Sequence, residues 1–441
     1  MLNKLKLLSL LGTGFFMLGC GNGENNENAD SFDSETPDGQ SGDANEITMW
    51  VQFSEESAEG QVMVDSINEF NESNEDGLTA SVRYIPRSGA GGGYEDVINA
   101  ALTTDTLPDV ITLDGPNTAA YANSGILQSL DGMLSNVDDF LPSIIEQGTF
   151  EDELYAIGFS ESSVGVFYNE DMLQEAGIDT SNLPTVDNPW DWNEFNDMLE
   201  TLHGYFDGPV IDVGFDDQSE WLMYAFSPFV WSAGGEITNE SGTESVGYFD
   251  SEETASAFDF IQGLVSEGYS TITPVDFGFH TGEYALLLSG SWTIQQLESE
   301  YQDIEYGIMP YPVSPETGEL VSPTGSWAYG MTTSTDNPEG AAALIDFLTS
   351  EEQLYNMSMG NSVLPARQSV ADRMLEEVDE PMQVLIEQNS RTGRARPVLI
   401  NYPQVSRTFQ ETVTEVSYYE QNPDVSELLD LKAQEIEGHL E

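Results

Sequence analysis

From Glu46 onward the apolar positions of the chain alternate between two spacings. "EITMWVQF" reads as a strand, and "SAEGQVMVDSINEFNE" then places Met63, Ile67 and Phe70 one helical turn apart. "LTASVRYIP" is a second strand. "YEDVINAALTT" is a helix with Val97, Ile98, Ala101 and Leu102 on one face. "PDVITL" is short and nearly all apolar, the pattern of a strand covered on both faces in a parallel sheet. A helix over 118–124 stops at Gly125, which suits the left-handed position after a helix end. Strand–helix–strand–helix–strand predicts a doubly wound α/β lobe that carries its ligand groups at the carboxyl ends of the strands. A second α/β block begins near Ser160: "SVGVFYNEDMLQEAGI" gives a strand, a helix and Gly177. "NPEGAAALIDFLTSEEQ" is a helix capped by Asn337, with Pro338 in its first turn and Leu344, Ile345 and Leu348 facing a core. There is no internal repeat.

The start of the chain follows another logic. Lys4 and Lys6 precede an apolar run, Leu7 to Leu18, that falls short of the roughly 20 residues a membrane-crossing helix needs but suits a secretory signal. Met17-Leu18-Gly19-Cys20 resembles a bacterial lipobox, in which the cysteine is lipidated and becomes the mature N-terminus, although Met17 stands where leucine is usual. Cys20 is the only cysteine of the chain. The tract Gly21–Asp43 has one aromatic and no aliphatic larger than alanine, so it has nothing with which to offset its ordering entropy. The expectation is a signal peptide over 1–19 and a lipid anchor with an acidic tether over 20–45. A folded domain follows, on the outer side of the membrane.

Charge narrows the picture. The 441 residues carry 79 Asp+Glu against 11 Lys+Arg, a formal net charge of −68. Lys432 is the only lysine after the expected signal peptide. Such a surface repels itself in dilute buffer, and the penalty fades in concentrated salt, where the screening length falls to about 3 Å at 1 M. The composition therefore predicts adaptation to high salt. It excludes nucleic acid as a partner, because nothing could neutralise phosphates. His203, His280 and His439 are the only histidines, and neither HExxH nor G-x-S-x-G occurs. No catalytic residue, metal site or cofactor is expected, and "RTGRAR" (Arg391, Arg394, Arg396) reads as internal pairing with surplus carboxylates.

Segments in order over Glu46–Phe409 resemble the family 1 extracellular solute-binding proteins, the group that includes maltose-binding protein. They are "PDVITLDGPNTAAYANSGILQSLD", "LYAIGFSESSVGVFYNEDMLQEAGID", "NPWDWNEF", "GEYALLLSGSWTIQQLES", "YGIMPYPV", "SWAYGMTTSTDNPEGAAALIDFLTSEEQ" and "SVLPARQS". The resemblance implies two α/β lobes joined by a hinge that the chain crosses several times. The first lobe would take 46–157 and 325–363, the second 158–324 and 364–441. A sugar would bind in the inter-lobe cleft, and an ABC importer's permease subunits would receive it from a receptor tethered by its lipid outside the cytoplasm.

A sugar needs aromatic plates for its C–H faces and short polar or carboxylate groups for its hydroxyls. At positions matching the family's cleft loops the candidates are Ser54 and Glu55, Asp114 and Asn117, Glu161 and Ser162. The aromatic candidates are Tyr224, Trp231, Trp292 and Trp327, with Trp292 the foremost platform. Tyr94, after the glycine run, is a further plate candidate; Trp190 and Trp192 are assigned to packing. The rival readings are the same receptor with a peptide or polyamine, and a secreted glycosidase.

Overall fold

A computed structural model describes residues 45–440, apart from positions 75, 88–92, 105, 218, 419, 420 and 422. The expected signal peptide, Cys20 and the tether up to Ala44 lie outside the described residues.

Two sheets organise the chain. The first has five strands in the order Thr79–Tyr84, Glu46–Val51, Val110–Asp114, Trp327–Met331, Ala156–Ser160. Its first three strands are parallel, and Trp327–Met331 runs antiparallel between Val110–Asp114 and Ala156–Ser160. The second has four strands in the order Tyr306–Met309, Val164–Asn169, Leu286–Gly290, Ile211–Asp212. A two-stranded parallel ribbon, Ser322–Thr324 with Gly393–Ala395, lies apart from both.

The four strands predicted from the sequence form, as Glu46–Val51, Thr79–Tyr84, Val110–Asp114 and Val164–Asn169, and helices cover the sheet faces. Helix Ala58–Ser73 buries Met63, Ile67 and Phe70, and Ser57 caps it by accepting from the Gly60 amide. Helix Tyr94–Thr104 buries Ile98 and Ala101, but Leu102 stays exposed, so its apolar face is narrower than the spacing suggests. Helix Pro338–Leu348 is capped as expected, Asn337 Oδ1 accepting from the Gly340 amide at 2.9 Å. One core lies around the first sheet and another around the second, where Phe226, Phe249, Phe258 and Phe409 are fully buried. Trp192 stacks on Phe260 at 4.8 Å in that second core, the packing role expected for it.

The passage between sheets comes later than the expected boundaries. Residues 158–160 belong to the first sheet, because Gly158 and Ser160 pair with Ala328 and Trp327. Helix Gln368–Met374 likewise packs on helix Glu351–Asn361 beside the first lobe, and helix Glu380–Thr392 packs on the second-sheet strand Tyr306–Met309. The chain thus passes from one lobe to the other at 161–163, back along 310–326, and over once more between helices Gln368–Met374 and Glu380–Thr392.

Candidate functional site

A cleft of about 710 Å³ opens where both sheets end near these crossings. Strand Val110–Asp114 delivers Asp114 at its carboxyl end, and the turn Gly115–Asn117 then sets Asn117 at the cleft wall. Gly115 is needed in that turn, since a Cβ there would lie 2.6 Å from Gln147 Oε1. Helix Trp221–Ser232 presents Trp221 and Tyr224 from one face of its first turn. Trp292 opens helix Trp292–Glu300, directly after strand Leu286–Gly290. Its ring lies across Gly290, where a Cβ would come within 2.1 Å of the indole. Trp327 begins the strand inserted in the first sheet, and the Arg87 guanidinium stacks over its ring at 4.0 Å.

The cleft is aromatic on both sides. Trp221 and Trp292 meet edge to face with centroids 6.1 Å apart. Trp292 is 44% exposed, an unusual state for the largest apolar side chain and one that leaves a flat face open. Trp327 and Tyr121 line the first-lobe side.

Polar groups converge on the floor. Arg396 is buried and donates to Asp114 through Nη2 at 2.8 Å and Nη1 at 3.2 Å, and to Glu220 Oε1 at 2.6 Å. Glu220 also accepts from the Tyr402 hydroxyl and from Ser406 Oγ at 2.6 Å. Burial and these carboxylates act in opposite directions on Arg396; the carboxylates prevail and hold it charged. Ser162 Oγ donates to the Gly325 carbonyl at 2.9 Å and lies 2.8 Å from the Tyr224 hydroxyl, which can donate to it. Burial pushes Tyr224 above the ordinary phenol range, so it stays protonated and able to donate. Flat apolar plates around a floor of fixed donors and acceptors suit a ligand with C–H faces and a rim of hydroxyls.

Of the sequence-derived candidates, Asp114, Asn117, Ser162, Tyr224, Trp292 and Trp327 are brought together in this cleft. Four are not. Ser54 is drawn into the capping turn of the first helix, its carbonyl accepting from Ser57 Oγ at 2.6 Å, and Glu55 projects into solvent beside it. Glu161 points away from the cleft into the first lobe and is 1% exposed. Trp231 lies two turns beyond Tyr224 on the same helix and is buried. It lines a separate groove with Phe140, Pro142 and Glu236, its ring under the Arg394 guanidinium at 4.6 Å. Tyr94 is also core: its hydroxyl donates to the Thr112 carbonyl at 2.9 Å, and the side chain is 2% exposed.

Arg87, Glu95, Tyr121, Glu220, Trp221 and Arg396 line the cleft without having been singled out for it. Trp221 was within reach, one helical turn before Tyr224. Arg396 was correctly assigned to internal pairing, with Arg391 on Asp187 and Arg394 on Glu236, but its partners place it in the cleft floor. Among the described residues no group of three or more His, Cys, Asp or Glu is arranged to hold a metal ion.

Comparison with known proteins gives concordant matches. The family model described as "Bacterial extracellular solute-binding protein" matches residues 65–384. The crystal structure of the cyclic α-maltosyl-1,6-maltose binding protein from Arthrobacter globiformis superposes with a TM-score of 0.79 at 23% identity, covering 90% of this chain and 98% of that one. A lipoprotein of Streptomyces antibioticus is 24% identical over 288 residues, 62% of this chain and 62% of its own length. The sn-glycerol-3-phosphate-binding periplasmic protein of Escherichia coli is 22% identical over 339 residues, 71% of this chain and 73% of its own.

Proposed function

The chain belongs to the bacterial extracellular solute-binding proteins, and from that premise we propose that it captures a neutral sugar in the Trp292 cleft for delivery to an ABC-type importer. The observation that carries this reading is the open indole face of Trp292, flanked by Trp221 and Trp327, beside a floor of hydrogen-bonding groups. Cleft residues proposed to touch the sugar are Asp114, Asn117, Ser162, Tyr224, Trp292 and Trp327, with Trp221 added. The name of the Arthrobacter relative, which specifies a maltosyl saccharide, agrees with the substrate class. The protein works outside the cytoplasm. Its anchoring through a lipid on Cys20, with residues 21–45 as tether, is part of the same proposal, and the Streptomyces lipoprotein supports it. Permease subunits of the importer are the proposed protein partner. The charge of −68 is proposed to suit the exterior to concentrated salt.

A second reading rests on Arg87, whose guanidinium stands in the cleft on Trp327 with no carboxylate within ion-pair distance among the described residues. A guanidinium not taken up by an ion pair in that position, although Glu59, Asp114 and Glu95 act on it, fits a phosphate ester, the ligand named for the Escherichia relative. Against it, the Arg396 guanidinium is already divided between Asp114 and Glu220.

A melting scan in molar salt separates the readings, using maltose, maltotriose, other neutral sugars, sn-glycerol 3-phosphate, a peptide mixture and spermidine. A ligand present at about 100 times its dissociation constant stabilises by roughly 2.7 kcal/mol. A shift with one sugar class, absent in Trp292→Ala and without chemical change to the sugar, supports the proposal. A shift only with the phosphate ester selects the second reading, and a shift only with peptide or spermidine overturns both.

A further inference from the structure

Glu161 is a buried carboxylate that does not reach the cleft, yet it holds groups that do. Its Oε1 accepts from the Gly325 amide at 2.7 Å and from the Ser162 amide at 3.1 Å. These two amides belong to two of the three segments by which the chain passes between lobes. Its Oε2 accepts from Ser143 Oγ at 3.2 Å, on helix Pro142–Gly148 of the first lobe. Its backbone pairs with Leu364 in both directions, at 2.8 and 2.9 Å. One residue therefore fastens these two passages to the base of the first lobe.

We infer that Glu161 is a positioning residue of the cleft: its carboxylate clamps the Ser162 and Gly325 passages together, and its protonation slackens that clamp. The inference rests on the proposed role of the cleft in ligand capture. Ser162 Oγ bridges the Gly325 carbonyl and the Tyr224 hydroxyl, so the clamp fixes the relative placement of three cleft groups. Charge-assisted bonds from backbone amides are roughly twice as strong as neutral ones. A proton on Oε2 turns the Ser143 bond around and leaves Oε1 an uncharged acceptor for both amides.

Burial raises the Glu161 carboxyl to about 7, against the opposing pull of the Ser162, Ser143 and Gly325 bonds and of Arg396. The charged or titratable groups facing it are Arg396 and Tyr224, and neither changes charge near neutrality. Ser143 is the group presented by the packed helix, and Leu364 presents only backbone. The switch is therefore confined to one proton.

The test uses the full chain in molar salt and reads tryptophan fluorescence, because Trp327 lies two residues beyond Gly325 and Trp221 one turn before Tyr224. The wild type shows a one-proton transition near neutrality. In Glu161→Gln, where the amide oxygen can keep both backbone bonds, the transition is absent and the signal sits on the acid arm of the wild type. His203, His280 and His439 remain in that variant, so a transition that persists belongs to them and overturns the clamp. Ser143→Ala, a milder change, moves the midpoint upward because a donor to the ionised form is lost; an unmoved midpoint, or a flat wild-type profile, also overturns it. With maltotriose as probe, wild-type affinity changes severalfold across the transition and Glu161→Gln affinity does not. Failure of maltotriose to bind bears on the sugar reading, and the ligand-free titrations still decide the clamp.

Discussion

Replacing Arg396 by methionine tests whether the cleft floor is held by its ion pairs. The substitution keeps an apolar stem of similar length and removes the guanidinium that joins Asp114 to Glu220. Arg396 is 4% exposed in its side chain, Asp114 19% and Glu220 36%, so the loss is graded. Removing one member of a buried pair costs about 3–5 kcal/mol, because the partner is left charged and unmatched. Asp114 should contribute most of that. Glu220 is more than a third open to solvent and still accepts from Tyr402 and Ser406, so its share is heavily discounted. We expect about 3 kcal/mol in all. With an unfolding entropy near 2.1 cal/mol/K per residue over roughly 400 ordered residues, that is a fall in Tm of about 4 °C. The assay is paired thermal and urea unfolding in molar salt, which screens exposed charge and leaves a buried pair largely untouched. Adding Asp114→Asn to Arg396→Met should restore part of the loss, since the unmatched carboxylate is gone. A loss under about 1 kcal/mol, or no recovery in the double variant, would refute the reasoning and mark the pairs as surface-like.

Three further outcomes follow from the same physics. Glu161 has a folded pKa raised from 4.5 to about 7, so the native state holds the proton more tightly than the unfolded chain. Its contribution is therefore present below pH 4.5 and lost as the pH rises through 7: Glu161→Gln should gain on the wild type across that window, by on the order of 3 kcal/mol at the plateau, in urea unfolding at stepped pH; parallel profiles would sink the idea. Desalting should lower Tm, because the carboxylates then repel over about 10 Å at 0.1 M, and a Tm indifferent to salt would count against the halophilic reading. Cys20→Ser should move the protein from the membrane to the soluble fraction, and continued sedimentation with membranes would remove the proposed anchor.

The elements were legible because each carries its own period: "PDVITL" could be little else than a covered strand, and Asn337-Pro338 marks a helix start by capping chemistry alone. Trp292 was legible through its motif, "GSW", although the reason for the glycine appears only in the structure, where the ring occupies the space of a side chain at Gly290. Trp231 was placed by the family match of its segment, but it lies two turns beyond Tyr224 on one helix that outruns the cleft, and neither a motif nor periodicity shows where the cleft ends. Glu161 and Ser162 are neighbours on an extended passage, one turned inward and one outward, and which is which depends on strand pairings the sequence does not display. Arg396 was beyond reach for another reason: its partner Asp114 is 282 residues away, and only the closed topology makes them adjacent.

The order of strands in the first sheet bears on how the protein comes to exist outside the cell. Strand Trp327–Met331 is inserted between Val110–Asp114 and Ala156–Ser160, both of which precede it by well over a hundred residues. The guanidinium that completes the cleft floor comes later still. On the proposed export route, N-terminus first, the chain emerges with a gap in its first sheet and no floor to its cleft. The proposed binding site is then completed among the last events of biogenesis, so a half-delivered chain has no finished site with which to compete for solute outside the cytoplasm.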